Sequence, residues 1–545
     1  MILICKCKRR DLRIEVIRMH SDKPSSSHHQ KRLLTYANGP SLEEINSTVE
    51  VPEGKNFWRM LMAYSGPGAL VAVGYMDPGN WSTSITGGQN FGYLLLSVIL
   101  LSSLIAMLLQ YMAAKLGIVT RHDLAQAIRA HTGRPLGIIL WILTELAIMA
   151  TDVAEVIGAA IALYLLFDIP LVIATFITVF DVLLLLLLTR VGFRKIEALV
   201  VCLIMVIFFV FIYQVALSDP NWGDVMRGLV PTTQTFATAP FIGGQTPLLG
   251  ALGIIGATVM PHNLYLHSAV SQTRKINYND ENRVAEAVRF STWDSNIQLT
   301  MAFFVNALLL ITGVAVFKTG VVEDPSFFGL YQALSDPSML SNDTLIGVAR
   351  SGLLSTLFAL ALLASGQNST ITGTLTGQII MEGFIRMRIP MWMRRLVTRL
   401  ISVIPVLLCV LMTEGKGTIA EHVALNNLMN NSQVFLAFAL PFSMIPLLIL
   451  TGSAREMGER FKNGIIVQSV GWLSVLSLTY LNLIGLPDQI RAFFGDDATP
   501  ASLMTADWIA YGIIAAVLGL LLWTVIELYT RRGATAAKED SHDHR

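Results

Sequence analysis

The chain has few charged residues for its length, since Asp, Glu, Lys and Arg make up 14% of 545 residues whereas 53% are hydrophobic. Such a composition leaves too little polar surface to solvate a soluble protein of this size. It therefore excludes an ordinary soluble enzyme and indicates that a membrane is the solvent. Apolar runs approaching the roughly 20 residues that cross a bilayer support this conclusion. Examples are 94–109, 196–217, 397–412 and 508–525.

Cysteine is also scarce, and its four positions indicate no disulfide framework. The first 55 residues contain no continuous apolar segment of the kind found in a signal peptide. We therefore expect residues 1–55 to form a basic, mostly disordered cytoplasmic tail. We find no phosphate-binding glycine loop, zinc-ligand cluster or nucleophile–base pair, so the sequence does not predict an enzyme. A net charge of +1 gives no indication of a nucleic-acid partner, and no obligate protein partner is evident.

Apolar stretches and their polar breaks predict an all-α polytopic membrane protein with about twelve spans. Alternate loops between these spans hold eighteen Lys or Arg residues against four in the other set. Because cytoplasmic loops are enriched in these residues, we expect both termini in the cytoplasm and the protein in the cell membrane. The spans are predicted at 58–85, 91–117, 136–166, 170–189, 196–217, 247–271, 291–317, 345–366, 396–413, 424–450, 464–486 and 507–530.

Two spans, the first and the sixth, are interrupted by similar polar segments that contain proline. The segment at 76–80 reads MDPGN and the segment at 260–263 reads MPHN. They predict two five-span units, which cross the membrane in opposite senses because five is odd. The aligned positions are Pro78 with Pro261 and Asn80 with Asn263, and the helix-breaking residues are Pro78, Gly79 and Pro261. The units are predicted at 56–217 and 218–450, followed by two additional spans at 451–530 and a cytoplasmic tail at 531–545.

The helix breaks carry the residues with the most specific chemistry. Asp77 would place a carboxylate near the bilayer centre, at a cost of several kcal/mol unless a cation compensates it. Asn80 and the unwound backbone near Ala257 and Gly74 offer further oxygen atoms, and Met260 offers a thioether sulfur. Oxygen ligands alone suit calcium or magnesium, whereas one soft sulfur favours manganous or ferrous ions. The alternative for Met260 is that it only fills apolar space.

The third span holds three acids, Glu145, Asp152 and Glu155, among apolar residues. Steps of seven and three residues place them on one face of a helix. Acids inside a membrane need a partner or a proton, so we interpret this face as a proton route. The alternative is static pairing with arginines from the cytoplasmic side, and the two interpretations are compatible. The candidate arginines are Arg394, Arg395 and Arg399.

Three further polar residues lie in the second unit. His262 and His267 follow the break in the sixth span, where imidazole can bind a metal or titrate. We favour a titrating or gating role for His262, while a structural hydrogen bond is as plausible for His267. Gln433 in the tenth span is predicted to supply an oxygen to the ion or to form a helix–helix hydrogen bond. Asp181 and Arg350 are left without a role.

The two interrupted segments resemble the paired signatures of the natural resistance-associated macrophage protein (Nramp) family, including its bacterial manganese-importing relatives. The resemblance extends over about residues 56–485. It implies a LeuT-like fold of two inverted five-helix repeats and symport of a divalent transition metal with protons. The metal ion and the proton would be transported substrates, so no cofactor is expected, and the partners would be these ions and the lipid bilayer.

Carried over by position, the resemblance implies a role for each candidate residue. Bacterial members often have eleven spans, so the resemblance implies no role for the twelfth span. It also implies none for the N-terminal tail or the loop at 318–343. Asp77, Asn80, Ala257 and Met260 look like metal ligands, Asp77 also like a proton acceptor, and Gln433 like the glutamine of the tenth span. Glu145, Asp152, Glu155, Arg394 and Arg395 look like the charged proton route, and His262 and His267 fill the two histidine positions.

Three other functions remain as alternatives. A symporter of amino acids or other organic solutes would normally meet a substrate carboxylate with helix N-termini rather than with an acidic side chain. A passive ion channel would need a continuous pore, usually built from symmetric ligands of several subunits. A magnesium-transporting member of the family would be expected to lose the sulfur ligand. Asp77 facing Met260 disfavours the first alternative, a single asymmetric site disfavours the second, and the presence of Met260 disfavours the third.

Overall fold

A computed structural model describes residues 45–52, 56–181, 193–243, 245–316, 324, 326–336, 338, 340, 343–413, 417–492 and 499–540. Within these residues the secondary structure is helical, with two isolated β-bridges and no β-strand. Most of the predicted N-terminal tail lies outside the described residues, as do parts of the predicted fourth span and of the 318–343 loop, and residues 541–545.

The first repeat unit begins with a helix that is broken twice. The prolines Pro67 and Pro78 stand in the first turn of the second and third pieces, where the missing N–H group has no helical partner to lose. The helices of this unit are α1 (Phe57–Tyr64), α2 (Pro67–Gly74), α3 (Pro78–Phe91), α4 (Leu96–Thr120), α5 (Leu124–His131), α6 (Arg134–Phe167), α7 (Leu171–Ile177) and α8 (Phe193–Ser218).

The second unit follows a short helix and again starts with a broken span. Pro247 and Pro261 begin its two halves. The helices are α9 (Trp222–Gly228), α10 (Pro247–Thr258), α11 (Pro261–Val270), α12 (Glu281–Ala315), α13 (Phe327–Ser335), α14 (Asp343–Ala349), α15 (Leu353–Ile385), α16 (Met391–Thr413), α17 (Thr418–Ala439) and α18 (Pro441–Thr451). Beyond them lie α19 (Ala454–Phe461), α20 (Ile465–Ala492) and α21 (Pro500–Asp540).

Nine helical segments of the described chain are long and apolar enough to cross a membrane. The predicted eighth span is not among them, and its predicted bounds of 345–366 were wrong. The chain forms the short helix α14 first, and α15 then runs from Leu353 to Ile385. Its second half is rich in Ser, Thr, Gly and Gln and is almost entirely buried between other helices. Because protein rather than lipid surrounds this half, hydropathy could not reveal its full length.

The two broken spans lie at the centre of the packed helices. Every residue of α2 and of α10 is buried, as expected for helices that are apolar on all sides. α6 packs against α15, α16 and α17, while α12 packs against α2, α3 and α4. By contrast, α16, α20 and α21 expose many large apolar side chains. The breaks are therefore surrounded by protein, which is where a membrane protein tolerates non-helical backbone.

Candidate metal site

The first break, at residues 75–77, is stabilised by side chains that bond to its free backbone groups. Asn306 on α12 donates to the carbonyl oxygen of Tyr75 at 2.8 Å. The Met76 carbonyl oxygen accepts from Ser365 on α15 at 2.6 Å and from Trp81 at 3.0 Å. These bonds replace the helical bonds that the break removes. Three helices thereby hold the unwound segment in place around Asp77.

Asp77 caps the N-terminus of α3 and is fully buried. Its Oδ1 atom accepts from the backbone N–H of Asn80 at 2.8 Å. The positive end of the helix dipole compensates part of the charge of a carboxylate at this position. Asp77 Oδ2 is buried and has no hydrogen-bond partner among the described residues. A buried oxygen without a donor is costly, so this atom is suited to a cation or a proton.

Three oxygen atoms surround the side-chain amino group of Asn80. Asn80 Nδ2 lies 2.8 Å from Asp77 Oδ1, 3.1 Å from the Gly74 carbonyl oxygen and 2.8 Å from the Ala257 carbonyl oxygen. An amide carries two N–H donors for these three acceptors. Rotating the amide by 180° would place Asn80 Oδ1 among them. The structure thus brings Asp77, Asn80 and Ala257 together in an arrangement that can supply four oxygen atoms to a cation.

The two remaining predicted ligands, Met260 and Gln433, belong to α11 and α17. Met260 is fully buried and caps α11 at the second break. Gln433 on α17 packs directly on Gly79, where a methyl group would collide with its amide. Gln433 Oε1 is buried and has no hydrogen-bond partner in the described chain. No group of three His, Cys, Asp or Glu side chains suited to a metal occurs among the described residues, so a metal here would need mixed carboxylate, amide, carbonyl and thioether ligands.

The three acids of α6 pair with arginines of α16. Arg394 bonds to Glu145, and Arg395 bonds to Asp152 and, at 2.7 Å, to Glu155 Oε2. Arg395, Asp152 and Glu155 are essentially fully buried. The structure therefore pairs each predicted acid with a predicted arginine, Glu145 with Arg394 and the other two acids with Arg395, which is the static pairing of the alternative interpretation.

Sequence reasoning missed several members of this network. Arg399, named only as a possible static partner, bonds to Asp181 and lies 3.3 Å from Glu155 Oε2. Ser369 Oγ donates to Glu155 Oε1 at 2.6 Å, and Thr370 Oγ1 lies 3.2 Å from Glu155 Oε2. Asp181 in the fourth span was a usable signal because a membrane acid needs a partner. Arg350 is exposed after α14.

The two histidines are both buried in α11 but differ in their contacts. His267 Nδ1 lies 3.0 Å from Gln110 Oε1, and Gln110 Nε2 donates to the Tyr75 hydroxyl at 2.8 Å. His267 is thus connected to the first break through α4. His262 Nδ1 and His267 Nε2 are buried without hydrogen-bond partners among the described residues.

Comparisons with known proteins relate most of the chain to metal transporters. A family model described as natural resistance-associated macrophage protein-like matches residues 68–487. The divalent metal cation transporter MntH of Latilactobacillus sakei is 54% identical over 465 residues, covering 85% of this chain and 98% of that protein. The MntH of Staphylococcus haemolyticus is 53% identical over 445 residues, covering 81% and 96%.

The fold of this chain is also similar to that of a transporter whose crystal structure is known. A mutant of the Eremococcus coleocola manganese transporter superposes with a TM-score of 0.85 and 69% sequence identity. The match covers 90% of this chain and 99% of that one. The predicted all-α polytopic membrane fold is thereby confirmed.

Proposed function

The chain belongs to the Nramp family, and we propose that it imports manganous or ferrous ions into the cell together with protons, by alternating access. Its relatives are divalent metal cation transporters and a manganese transporter. The protein is accordingly a multi-pass membrane transporter of divalent metal, including manganese, and not an enzyme. The metal ions are substrates rather than cofactors. We place the protein in the cell membrane with both termini in the cytoplasm, as the distribution of Lys and Arg favours.

The observation that carries this proposal is the set of three oxygens around the amino group of Asn80. Asp77 Oδ1 and the carbonyl oxygens of Gly74 and Ala257 face a group with positive partial charge. When the Asn80 amide rotates, Oδ1 replaces the amino group, and a divalent cation can then lie among the four oxygen atoms. Asp77 contributes the negative charge, and its unpaired Oδ2 gains the partner that it lacks in this structure.

The thioether of Met260 gives the site its preference among cations. Calcium and magnesium are hard ions that favour oxygen, whereas manganous and ferrous ions accept a sulfur ligand more readily. A site of four oxygens alone would bind the abundant hard ions as well. Met260 therefore acts by discrimination more than by affinity, and Gln433 offers a further amide oxygen from α17.

The charged network of α6 is the proposed proton route. Pro78, next to Asp77, packs on Gly158 of α6, where a methyl group would collide with the proline ring. Gly158 is one helical turn from Glu155 on α6, so the first break packs on α6 one turn away from the charged network. The connected network holds three carboxylates, Asp152, Glu155 and Asp181, against the two arginines Arg395 and Arg399, while Glu145 pairs separately with Arg394. The carboxylate in excess can carry a proton while ion pairs are retained.

The proposal is tested by binding to the purified protein. Isothermal titration should show one manganese site that is lost in Asp77→Asn and weakened in Asn80→Ala. Among the described residues, the exposed Asn279 bonds to Asn277 Oδ1 through its backbone N–H alone, so Asn279→Ala is the matched control and should bind as the wild type does. Unchanged binding in Asp77→Asn would place the metal elsewhere and refute the proposed site.

A further inference from the structure

Asn263 occupies the position in the second repeat that Asn80 occupies in the first, and the proposed transport mechanism leaves it without a role. It lies in the first turn of α11, with 1% of its surface exposed. Its Nδ2 atom donates to Met260 Sδ at 3.6 Å. Asn80 faces three oxygens, whereas Asn263 faces the sulfur.

The Asn263 amide also packs on the end of α2. A methyl group on Gly74 would collide with all three outer atoms of this amide. The carbonyl oxygen of Gly74 is one of the three that face Asn80. Asn263 thus lies between Gly74, the last residue of α2, and the sulfur of Met260 at the start of α11.

Methionine needs such a partner if its sulfur is to discriminate between ions. Its side chain has three rotatable bonds and adapts readily to the space around it. A thioether that samples several rotamers presents its lone pairs to an ion only part of the time. A donor on one lone pair fixes the orientation of the sulfur and leaves the other lone pair free. Partners that orient a ligand change metal affinity without touching the metal.

We propose that Asn263 is a specificity-determining positioning residue, which orients the Met260 thioether toward the transported ion and does not bind the ion itself. This proposal rests on the proposed function, because it assumes that the ion lies between the two breaks. It assigns the two aligned asparagines different tasks. Asn80 supplies an oxygen ligand to the ion, whereas Asn263 orients the sulfur ligand.

The test is the double-mutant cycle of Asn263→Leu and Met260→Ala in the full chain. Leucine is close to asparagine in shape but lacks the N–H donor. Cadmium, which is softer than manganese, is the probe most sensitive to the sulfur, so calorimetric affinities for both metals are measured for each variant. We expect Asn263→Leu to weaken cadmium binding by about three-fold, the effect of one modest hydrogen bond, and manganese binding less. Calcium should inhibit manganese uptake more strongly.

The decisive result is the effect of Asn263→Leu when the sulfur is already absent. In Met260→Ala, the second substitution should leave the ratio of cadmium to manganese affinity unchanged, because no thioether remains to orient. The control is Asn482→Leu on α20, a buried asparagine that donates to the Ala437 carbonyl oxygen at 2.6 Å. It should leave the same ratio unchanged even if the protein is less stable.

Failure of this inference is distinguishable from failure of the proposed function. If the wild type binds manganese and Met260→Ala alters the affinity ratio, but Asn263→Leu does not, the positioning role is wrong. An equal effect of Asn263→Leu with and without Met260 would likewise overturn it. If the wild type binds neither metal, the proposed function itself fails.

Discussion

The side-chain amino group of Asn80 on α3 lies 2.8 Å from the carbonyl oxygen of Ala257 on α10. This hydrogen bond joins the broken span of one repeat to the broken span of the other. A motion that separates the two repeats must break it or replace it with an ion. Metal binding and the relative position of the repeats are therefore coupled, as a change of conformation driven by ligand requires.

Asp77→Asn should abolish manganese transport. The substitution keeps the shape of the side chain but removes the negative charge that faces the cation and the group that accepts a proton. Manganese uptake into proteoliposomes measures the effect. Asp336→Asn is the control, since among the described residues that exposed carboxylate bonds only to Ser338, and its uptake should match the wild type. Retained transport in Asp77→Asn would contradict the assignment of the charge.

Met260→Ala should lower manganese affinity modestly and relax the rejection of calcium and magnesium. The oxygen ligands remain, and the lost sulfur is the ligand that the hard ions do not favour. Competition of calcium against manganese uptake provides the measurement. A variant that still rejects calcium as the wild type does would show that discrimination arises elsewhere.

Gly79→Ala should impair transport by about ten-fold, because the new methyl group forces apart α3 and the Gln433 amide in a packed interior. Gly347→Ala on α14 is the matched control, since a methyl group there meets no atom of the described chain within 4 Å. The initial rate of manganese uptake is compared for both. Equal rates would mean that the contact between Gly79 and Gln433 does not matter for the transport cycle.

Arg395→Met should destabilise the protein and slow proton uptake. It leaves Asp152 and Glu155 buried without their shared guanidinium, and breaking a buried pair in this way costs about 3 to 5 kcal/mol. The control is Arg227→Met, because Arg227 and its partner Asp224 are 84% and 45% exposed and such pairs contribute little. Thermal unfolding and a pH dye report the two effects. If Arg395→Met melts like the control, the network is not a source of stability.

The sequence predicted those features that depend on local chemistry. Pro78 and Pro261 predicted the breaks, and Asp77, Asn80 and Ala257 were expected close together, as they are in the structure. The extension of α15 could not be predicted, because polar residues inside a membrane protein are buried by neighbouring helices that hydropathy does not register. The contacts of Ser369, Thr370 and Arg399 with the network likewise depend on how α15 and α16 pack on α6. The hydrogen bond from Asn263 to the Met260 sulfur could not be predicted either, because it depends on side-chain geometry at the second break.

Symport of manganese with protons can be measured as manganese uptake into proteoliposomes that hold the purified protein, with excess calcium outside and a pH dye inside. The rates are compared with and without an inward proton gradient. We expect uptake that resists calcium, accelerates with the gradient and brings protons inward. Absence of manganese uptake, or uptake that neither responds to the gradient nor acidifies the lumen, would contradict metal–proton symport.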